Sequence, residues 1–275
     1  MRKKHAWFMA QYILLGAAAI IVIVPLYFTL ITSIKTPEEI FSSAFRPPRI
    51  PHFENYFLLF NEVYHLQTYF LNSVFYAIAV CCTSIFVNTM AAYAIARMKW
   101  KLSKLVMVLF LAAIMVPGHA TMVPLYVMTS KIRIPNQAAL MLIFIAGTIP
   151  VSVFLITGYL SNVPKAMEES AVIDGSSIPN LFFKIIIPII KPPIATITIF
   201  NFMSVWNDLM LSLIFLSSEN IKTLQLGIMK FRSATYTNFG IVFSAMVVSI
   251  VPIIIVYLFM SEKIIGGITA GAVKG

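Results

Sequence analysis

Long uncharged apolar stretches constrain the fold of this chain more than any other feature of its sequence. A helix needs about 20 predominantly apolar residues to cross the hydrocarbon core of a bilayer. Stretches of this kind recur approximately at 10–32, 70–96, 105–127, 138–160, 194–216 and 239–260. Because unpaired backbone groups in hydrocarbon cost several kcal/mol, we expect regular helix within each stretch. The sequence therefore predicts an all-α integral membrane protein with six transmembrane helices.

Composition supports a lipid environment and argues against the other common uses of a basic chain. The 275 residues are 60% hydrophobic and 11% charged, with a mean hydropathy of +0.90, whereas a soluble domain carries about 25% charged residues. The net charge of +10 is spread over several loops, which favours orientation signals and attraction to anionic lipid over nucleic-acid binding. Without a repeat, a low-complexity tract or a linker, residues 1–275 are predicted to form a single membrane domain.

Prolines and the N-terminal run refine the predicted spans. Pro117-Gly118 should break or kink the third helix, and Pro252 the sixth. The uncharged run from Ala6 to Ile34 is much longer than the apolar core of a secretory signal, which is about 7–15 residues. We therefore interpret it as an uncleaved first transmembrane helix.

Basic residues near the spans predict the orientation in the membrane. They are Arg2, Lys3 and Lys4 before the first span, Arg97, Lys99, Lys101 and Lys104 after the second, and Lys131 and Arg133 after the third. Because cytoplasmic loops carry the excess of Lys and Arg, both termini are expected in the cytoplasm of a multi-pass cell-membrane protein. Lys222, Lys230 and Arg232 in the fifth loop oppose this assignment weakly. The chain then has an external loop at 35–69 and an internal loop at 161–187.

Turn and capping residues give the 161–187 loop a predicted helix-turn-helix structure. Pro164 suits the first turn of a helix and Gly175 the position just past its end, with Asn162 as the expected N-cap. Ser177 is expected to cap a second short helix that has Pro179 in its first turn.

The first helix of this loop carries acidic residues and a small one. Glu168 and Glu169 lie in its early turns, where the helix macrodipole favours negative charge. Met167, Ala171 and Asp174 have the i, i+4, i+7 spacing of one face, and a small residue such as Ala171 permits close approach of another surface. An amphipathic helix at the membrane surface is the alternative, but such helices favour Lys and Arg. We therefore favour a docking element for a protein partner.

Several motifs together identify a family resemblance that covers nearly the whole chain. The first is Glu169-Ser170-Ala171, three residues, Gly175, nine residues and Ile185-x-Ile187-Pro188. The others are Ala91-Ala92-Tyr93-Ala94-Ile95-Ala96-Arg97, Met115-Val116-Pro117-Gly118, Pro124-Leu125-Tyr126, Trp206-Asn207-Asp208 and the tail Thr269-Ala270-Gly271-Ala272-Val273-Lys274-Gly275. The chain resembles the permease subunits of carbohydrate-importing, binding-protein-dependent ABC transporters, and within them the smaller permease subunit of maltose-type systems. Ser170 replaces the usual middle alanine of the loop motif.

The resemblance implies a fold, a function and partners. The fold would be the transmembrane domain of a type I ABC importer with a cytoplasmic coupling loop, and the function would be translocation of a carbohydrate, an oligosaccharide in our interpretation. A second permease subunit, two ATPase subunits and an extracytoplasmic solute-binding protein would complete the assembly. In the loop, Glu168, Glu169, Ala171, Asp174 and Gly175 would contact an ATPase, whose ATP-driven closure would rock the helices between inward- and outward-facing states.

Catalysis and cofactors are expected elsewhere in that assembly. The sequence has no Gly-x-x-x-x-Gly-Lys-Ser/Thr phosphate loop, so ATP and Mg would be bound by the partner ATPase and this chain would be a transport subunit, not an enzyme. No nucleophile–base pair or carboxylate dyad of catalytic character is visible. His65 and His119 are solitary, without companions at metal-ligand spacing, so no metal site is predicted.

Polar residues in the fifth predicted span indicate where a solute could pass. Thr198, Asn201, Ser204, Asp208 and Ser212 fall on one stripe of that helix. Burial of Asp208 in lipid would cost about 2.5–3.5 kcal/mol, so the stripe should face protein or water. Two interpretations stay open: interhelical hydrogen bonding between permease subunits, or a translocation path lined by Asn201, Ser204, Asn207 and Asp208. Trp206 projects roughly opposite the stripe.

Three other functions fit this sequence less well than a sugar importer. An ion-driven secondary transporter would favour more intramembrane carboxylates and an inverted repeat. A non-transporting anchor subunit would not account for both the docking loop and the polar stripe. A glycerol phosphate or polyol permease is expected to have cationic groups near the path, and none lies inside the predicted spans. The identity of the sugar and the choice between a homodimer and a heterodimer stay open.

Overall fold

The computed structural model describes residues 2–60, 65–98, 100–231 and 238–272. Helices are the only regular secondary structure in these ranges. Lys99, Arg232 and residues 273–275, which entered the orientation and family arguments, lie outside the described residues.

The helices follow one another along the chain with short connections. The first group is α1 (Arg2–Ser33), α2 (Pro37–Ser42), α3 (Glu54–Leu59), α4 (Leu66–Arg97), α5 (Ser103–Ile114), α6 (Gly118–Lys131) and α7 (Asn136–Leu160). The second group is α8 (Ala166–Ile173), α9 (Ile178–Leu181), a π-helical turn (Phe182–Ile186), α10 (Ile187–Ile189), α11 (Lys191–Trp206), α12 (Met210–Phe215), a 3₁₀ turn (Glu219–Ile221), α13 (Leu224–Lys230) and α14 (Phe239–Ala272).

Membrane-spanning helices agree in number with the prediction once bent pairs are counted as single spans. Within the described ranges, four helices are long and apolar enough to cross a bilayer, at Trp7–Ser33, Leu66–Arg97, Asn136–Leu160 and Phe239–Met260. Two further candidates are bent pairs: α5 with α6 at 107°, and Ile178–Ile189 with α11 at 77°. Together they give up to six spans of an all-helical membrane protein.

Proline acts differently in the third and sixth spans. The break predicted at Pro117-Gly118 is confirmed, because α5 ends at Ile114 and α6 begins at Gly118 after Pro117 in an extended conformation. Proline cannot donate a backbone hydrogen bond and disfavours helical backbone in the residue before it. Of the break or kink expected at Pro252, the break is not found, since α14 continues through that residue. A membrane helix tolerates an interior proline where neighbours satisfy the freed carbonyl.

The fifth span departs from the prediction of regular helix over 194–216. α11 ends at Trp206 and α12 begins at Met210, so the polar stripe is not one continuous helix. The carboxylate of Asp208 accepts hydrogen bonds from the amides of Leu211 at 3.3 Å and Ser212 at 2.8 Å. Asp208 therefore serves as a side-chain cap for α12, which is why the chain can interrupt its helix at this point.

Backbone contacts group the chain into two compact units. The first comprises Met1–Gln67 with Leu226–Pro252, and the second Thr68–Gln225 with Ile253–Gly275. Every predicted site residue belongs to the second unit. The prediction of a single domain over residues 1–275 stays a prediction.

In the first unit, polar groups converge on the end of α1. The backbone oxygen of Ser33 accepts from the Asn55 amide at 2.9 Å and from the Ser244 hydroxyl at 2.9 Å. The fully buried Lys35 ammonium donates to the backbone oxygens of Ser43 and Ala44, at 2.8 and 2.9 Å. Burial lowers the pKa of Lys35, against the opposing effect of Glu39. These bonds hold the 35–60 segment to the helix ends, together with aromatic contacts of Phe45 with Phe28 and of Phe41 with Phe239.

In the second unit, α7 is the central helix and packs against α5, α6, α11 and α12. The start of α4 is tied to the segment before α13. Asn72 donates to the backbone oxygens of Asn220 and Lys222, Tyr76 donates to that of Ile221, and Ser73 accepts from the Leu224 amide. This packing fixes the helices on which the site residues lie.

Replacing Gly240 by alanine should destabilise the first unit. A Cβ at this position would lie 2.6 Å from Nδ2 of Asn55 and 3.0 Å from its Cγ. Asn55 would be displaced from the oxygens of Ser33 and Lys35, which predicts a loss of about 1–3 kcal/mol. Thermal unfolding of the purified protein in detergent measures it. Gly16→Ala is the matched control, because its Cβ would meet nothing within 4 Å; an equal effect of both variants would contradict the prediction.

Candidate functional site

The 161–187 loop forms the predicted helix-turn-helix, with a different start. α8 begins at Ala166 with Lys165 as N-cap, and Pro164 precedes it. The prediction of Asn162 as N-cap is wrong, because its amide donates at 3.4 Å to the backbone oxygen of Gly158 in the last turn of α7. Its side chain thus helps satisfy the free carbonyls of one helix instead of the free amides of the next.

Gly175 ends α8 in the predicted position, and the backbone explains why it is glycine. Its φ is +81°, a conformation that side chains disfavour. The amide of Ser176 donates to the oxygen of Ala171 at 2.9 Å and the amide of Gly175 to that of Val172 at 3.0 Å. This pair of bonds is the Schellman motif. The elbow between α8 and α9 is therefore fixed by backbone hydrogen bonds within the loop itself.

The predicted common face of Met167, Ala171 and Asp174 is divided in the structure. Ala171 is 9% exposed and belongs to the buried cluster that includes Leu181 and Ile186. Met167 and Asp174 are exposed. The small side chain of Ala171 lets the loop's own second helix approach α8, so the three residues share a helical spacing but not an environment.

The two adjacent glutamates have different environments. Glu169 is exposed, whereas Oε1 of Glu168 lies 2.6 Å from Nε of Arg97 in an ion pair whose side chains are 11% and 7% exposed. The contact between Nε and Oε1 is an ion pair whose geometry is not that of a hydrogen bond. The Tyr93 hydroxyl donates a hydrogen bond to the other oxygen, Oε2 of Glu168, at 3.2 Å. We call Tyr93, Arg97 and Glu168 the Arg97 junction.

Arg97 also reaches the other side of the loop. Its Nη2 donates to the backbone oxygens of Leu160 at 3.0 Å and Val163 at 2.8 Å, where α7 ends. Sequence reasoning used Arg97 as an orientation signal and as the last residue of a family motif, and it missed this pairing. The available signal was a lone arginine at the end of a membrane span, together with a glutamate early in a loop that the fold brings back to it.

The outward side of the loop is apolar at its tip and acidic around it. Ile173 is 84% exposed, and Val172 and Ile178 are exposed as well. Glu169 and Asp174 flank them. A surface cavity of about 420 Å³ adjoins Glu169, Val172 and Ile173 and has the Arg97 junction at its base. An exposed apolar tip flanked by acidic residues is better suited to a complementary groove on a protein than to an anionic lipid surface.

A second feature is a cavity of about 690 Å³ bordered by α6, α7 and α11. Of the predicted path residues it brings together Asn201, Ser204 and Asp208, but Asn207 is not among its lining. The Asn207 amide instead donates to the backbone oxygen of Met203 at the end of α11. The prediction thus identified one wall of the cavity.

Polar groups on this wall differ in whether they are already satisfied. Nδ2 of Asn201 is buried and has no hydrogen-bond partner among the described residues, which is costly unless a partner is supplied. The carboxylate of Asp208 accepts three hydrogen bonds, from the amides of Leu211 and Ser212 and from the Ser212 hydroxyl. Asn201 is therefore the residue with an unused donor, and Asp208 shapes the wall.

The opposite walls were not predicted from sequence. α6 contributes His119 and Thr121, and α7 contributes Thr148, which accepts from the Asn88 amide at 2.9 Å. The 107° bend between α5 and α6 brings these residues to the cavity, and sequence gives the position of a break but not its angle. Trp206, expected opposite the stripe, is buried against Phe70 and Phe202, at centroid distances of 5.7 and 5.5 Å.

Membrane spans, an elbowed loop and an intramembrane cavity define a multi-pass permease of the helical type. The chain belongs to the family of binding-protein-dependent transport system inner membrane components, whose family model matches residues 84–264. The resemblance inferred from the loop motif is thereby confirmed.

Individual relatives agree with this assignment. The chain is 34% identical to the multiple sugar-binding transport system permease protein MsmG of Streptococcus mutans, with 96% of each chain covered. It is 32% identical to the melibiose/raffinose/stachyose import permease protein MelC of Bacillus subtilis, over 92% of this chain and 91% of that one.

A solved structure shares the fold. It is a crystal structure of a bacterial ABC transporter involved in the import of the acidic polysaccharide alginate. The TM-score is 0.85 at 22% sequence identity, and the match covers 95% of this chain and 98% of that one. The fold is thus that of a type I ABC importer transmembrane domain, as predicted.

Variants of Asn201 and Asp208 should separate the two interpretations of the polar wall. Asn201→Ala is expected to lower solute uptake per assembled complex, because it removes the free donor from the cavity and breaks no existing bond. Asp208→Ala should cost about 0.5–2 kcal/mol of stability by uncapping α12, whereas Asp208→Asn should retain most of the cap. Uptake and the yield of assembled complex are measured together. A loss of assembly with Asn201→Ala would favour hydrogen bonding between subunits.

Proposed function

We propose that this chain is a permease subunit of an ATP-driven ABC importer that translocates a carbohydrate, in particular an oligosaccharide, across the cytoplasmic membrane. The observation that carries the proposal is the 161–187 loop, an ordered elbow whose tip is exposed and apolar. Ile173 is 84% exposed beside the acidic residues Glu169 and Asp174, and an apolar side chain in such surroundings is better covered by a protein partner than by anionic lipid. The chain belongs to a family of transport-system components, which supports transport as the role of the complex that it forms with this partner.

The cavity supports a polar, uncharged solute. Asn201, Ser204, Thr121 and Thr148 offer hydrogen-bonding groups, and Phe200 offers an aromatic face. Neither Lys nor Arg lines the cavity within the part of the chain that the structure describes, which disfavours the phosphorylated solutes of the rival polyol-phosphate interpretation. The relatives named for melibiose, raffinose and stachyose and for multiple sugars support a carbohydrate.

The partners follow from the same proposal. A homologous second permease would complete the path, two ATPase subunits would bind ATP and Mg, and an extracytoplasmic solute-binding protein would deliver the sugar. Glu169, Asp174 and the apolar tip would contact the ATPase, with Gly175 setting the elbow and Ala171 and Glu168 holding it from inside. Both termini and the 161–187 loop would then be cytoplasmic, in agreement with the basic loops.

Reconstituted uptake tests the transport function. Proteoliposomes that contain this chain, the second permease and the ATPase should accumulate an oligosaccharide when ATP and the solute-binding protein are both supplied. Omitting ATP should abolish accumulation, because this chain has no phosphate loop of its own and depends on the ATPase. Omitting the solute-binding protein should abolish it because the sugar would not be delivered. Accumulation without any nucleotide-hydrolysing subunit would contradict the proposal.

Crosslinking tests the docking surface separately. Ile173→Cys should form a disulfide with cysteines placed on the ATPase, and the yield should change with nucleotide. Ala171→Cys is the matched control, since its side chain is buried inside the loop and should react poorly. Equal yields at both positions, unaffected by nucleotide, would argue against docking at this tip.

A further inference from the structure

The Arg97 junction joins three parts of the second unit at one guanidinium. Arg97 is the last residue of α4, its partner Glu168 lies in the first turn of α8, and its other two acceptors are the oxygens of Leu160 and Val163 at the end of α7. Tyr93, one turn earlier on α4, donates to the second oxygen of the same carboxylate. Both oxygens of Glu168 are thus held by α4.

We propose that Arg97 and Glu168 are positioning residues that make the 161–187 loop and α4 move as one body, so that displacement of the loop is passed to the membrane helix. The inference rests on the proposed function, because it concerns how force from an ATPase reaches the spans. The two adjacent carboxylates then have different roles: Glu169 is exposed to the partner, and Glu168 passes the motion of the loop to α4.

The geometry leaves few ways for the loop to move alone. A single contact would allow α8 to pivot about it, but attachment of both carboxylate oxygens, from residues one helical turn apart, restricts rotation as well as translation. The bonds from Arg97 to Leu160 and Val163 hold the entry to the loop at the same point. Independent movement of α8 would have to break all these contacts together.

Burial makes that rupture costly. With side chains 7% and 11% exposed, both charges are largely shielded from water, and water reaches them only from the side of the surface cavity. A buried ion pair that loses one partner leaves an uncompensated charge, which is strongly destabilising. Exposed pairs differ, since water replaces the lost partner at little cost. Separating Arg97 from Glu168 therefore costs more free energy than separating an exposed ion pair, so the junction resists the displacements that a docked partner would impose.

Apolar packing continues the attachment beyond the ion pair. Ala171, Leu181, Phe182 and Ile186 of the loop form one buried cluster with α4 residues that include Ala92 and Tyr93. This packing has no direction, and side chains can slide against one another within it. The hydrogen bonds of the Arg97 junction, from Tyr93 to Glu168 and from Arg97 to Leu160 and Val163, add direction, because they are lost when either element shifts along the other.

The test uses the complete importer complex in proteoliposomes and the double variant Arg97→Gln/Glu168→Gln. Removing both charges leaves no buried orphan charge, so the complex should assemble at nearly its normal yield. The number of solute molecules imported per ATP hydrolysed should nevertheless fall by about fivefold, because loop motion is no longer passed on completely. The single variants Arg97→Gln and Glu168→Gln should lower the assembly yield as well.

A matched control and a distance measurement separate coupling from simple stabilisation. Lys222→Gln/Glu219→Gln removes an ion pair of the same 2.6 Å length, in which Glu219 also accepts a hydrogen bond from Tyr69 at the start of α4, and should leave the import-to-hydrolysis ratio unchanged. Spin labels at exposed Leu71 and at exposed Asn180, a loop position outside the apolar tip, with Cys81 and Cys82 replaced, report whether α4 and the loop move together. Their separation should stay constant through the nucleotide cycle in the otherwise unmodified chain and change in the double variant.

Each result has a definite meaning. A double variant with normal assembly, a normal import-to-hydrolysis ratio and a constant label separation overturns the positioning role of Arg97 and Glu168. A fall in assembly that accounts for all lost transport, at an unchanged ratio per complex, assigns the junction to stability alone and also overturns it. Failure of the unmodified complex to import any carbohydrate would instead count against the proposed function, and the label separations would still test the junction.

Discussion

Every backbone amide and carbonyl that enters hydrocarbon must find its partner within the protein, and the architecture follows from that requirement. Where a helix is interrupted, other groups supply the hydrogen-bond partners that its backbone amides have lost, or the amide itself is absent. The carboxylate of Asp208 replaces carbonyls at the start of α12, and Pro117, which has no amide to satisfy, precedes α6. Both interruptions border the same cavity. Non-helical backbone is tolerated at membrane depth where it lines a cavity, so the breaks that cost helical regularity also create the polar wall.

Buried charge obeys a related rule. The ionised groups inside the described structure are held by specific partners: Glu168 by Arg97, Lys35 by backbone oxygens, and Asp208 by the amides it caps. Glu168 and Lys35 connect separate segments of the chain, whereas Asp208 caps the helix that follows it. Glu169 and Asp174 of the 161–187 loop are exposed instead, in keeping with the recognition role proposed for them.

Sequence was most informative where a signal is local. Apolar length gave the positions of the spans, Pro117 marked one break, and Gly175 marked the elbow. The angle of a bend and the partner of a buried charge depend on tertiary packing, so sequence did not reveal the α6 and α7 walls of the cavity or the pairing of Arg97 with Glu168. The capping role of Asp208 was missed for another reason: its i, i+4 spacing to Ser212 suits a helix stripe as well as a cap.

The elbow at Gly175 has a thermodynamic consequence for assembly. Two backbone hydrogen bonds and a positive φ fix its shape within the loop, so docking would not require a disordered segment to fold. Little conformational entropy is then lost on association, and more of the interaction energy of the apolar tip is available as affinity. A membrane subunit with a preorganised contact can exchange its soluble partner and rebuild the same geometry each time.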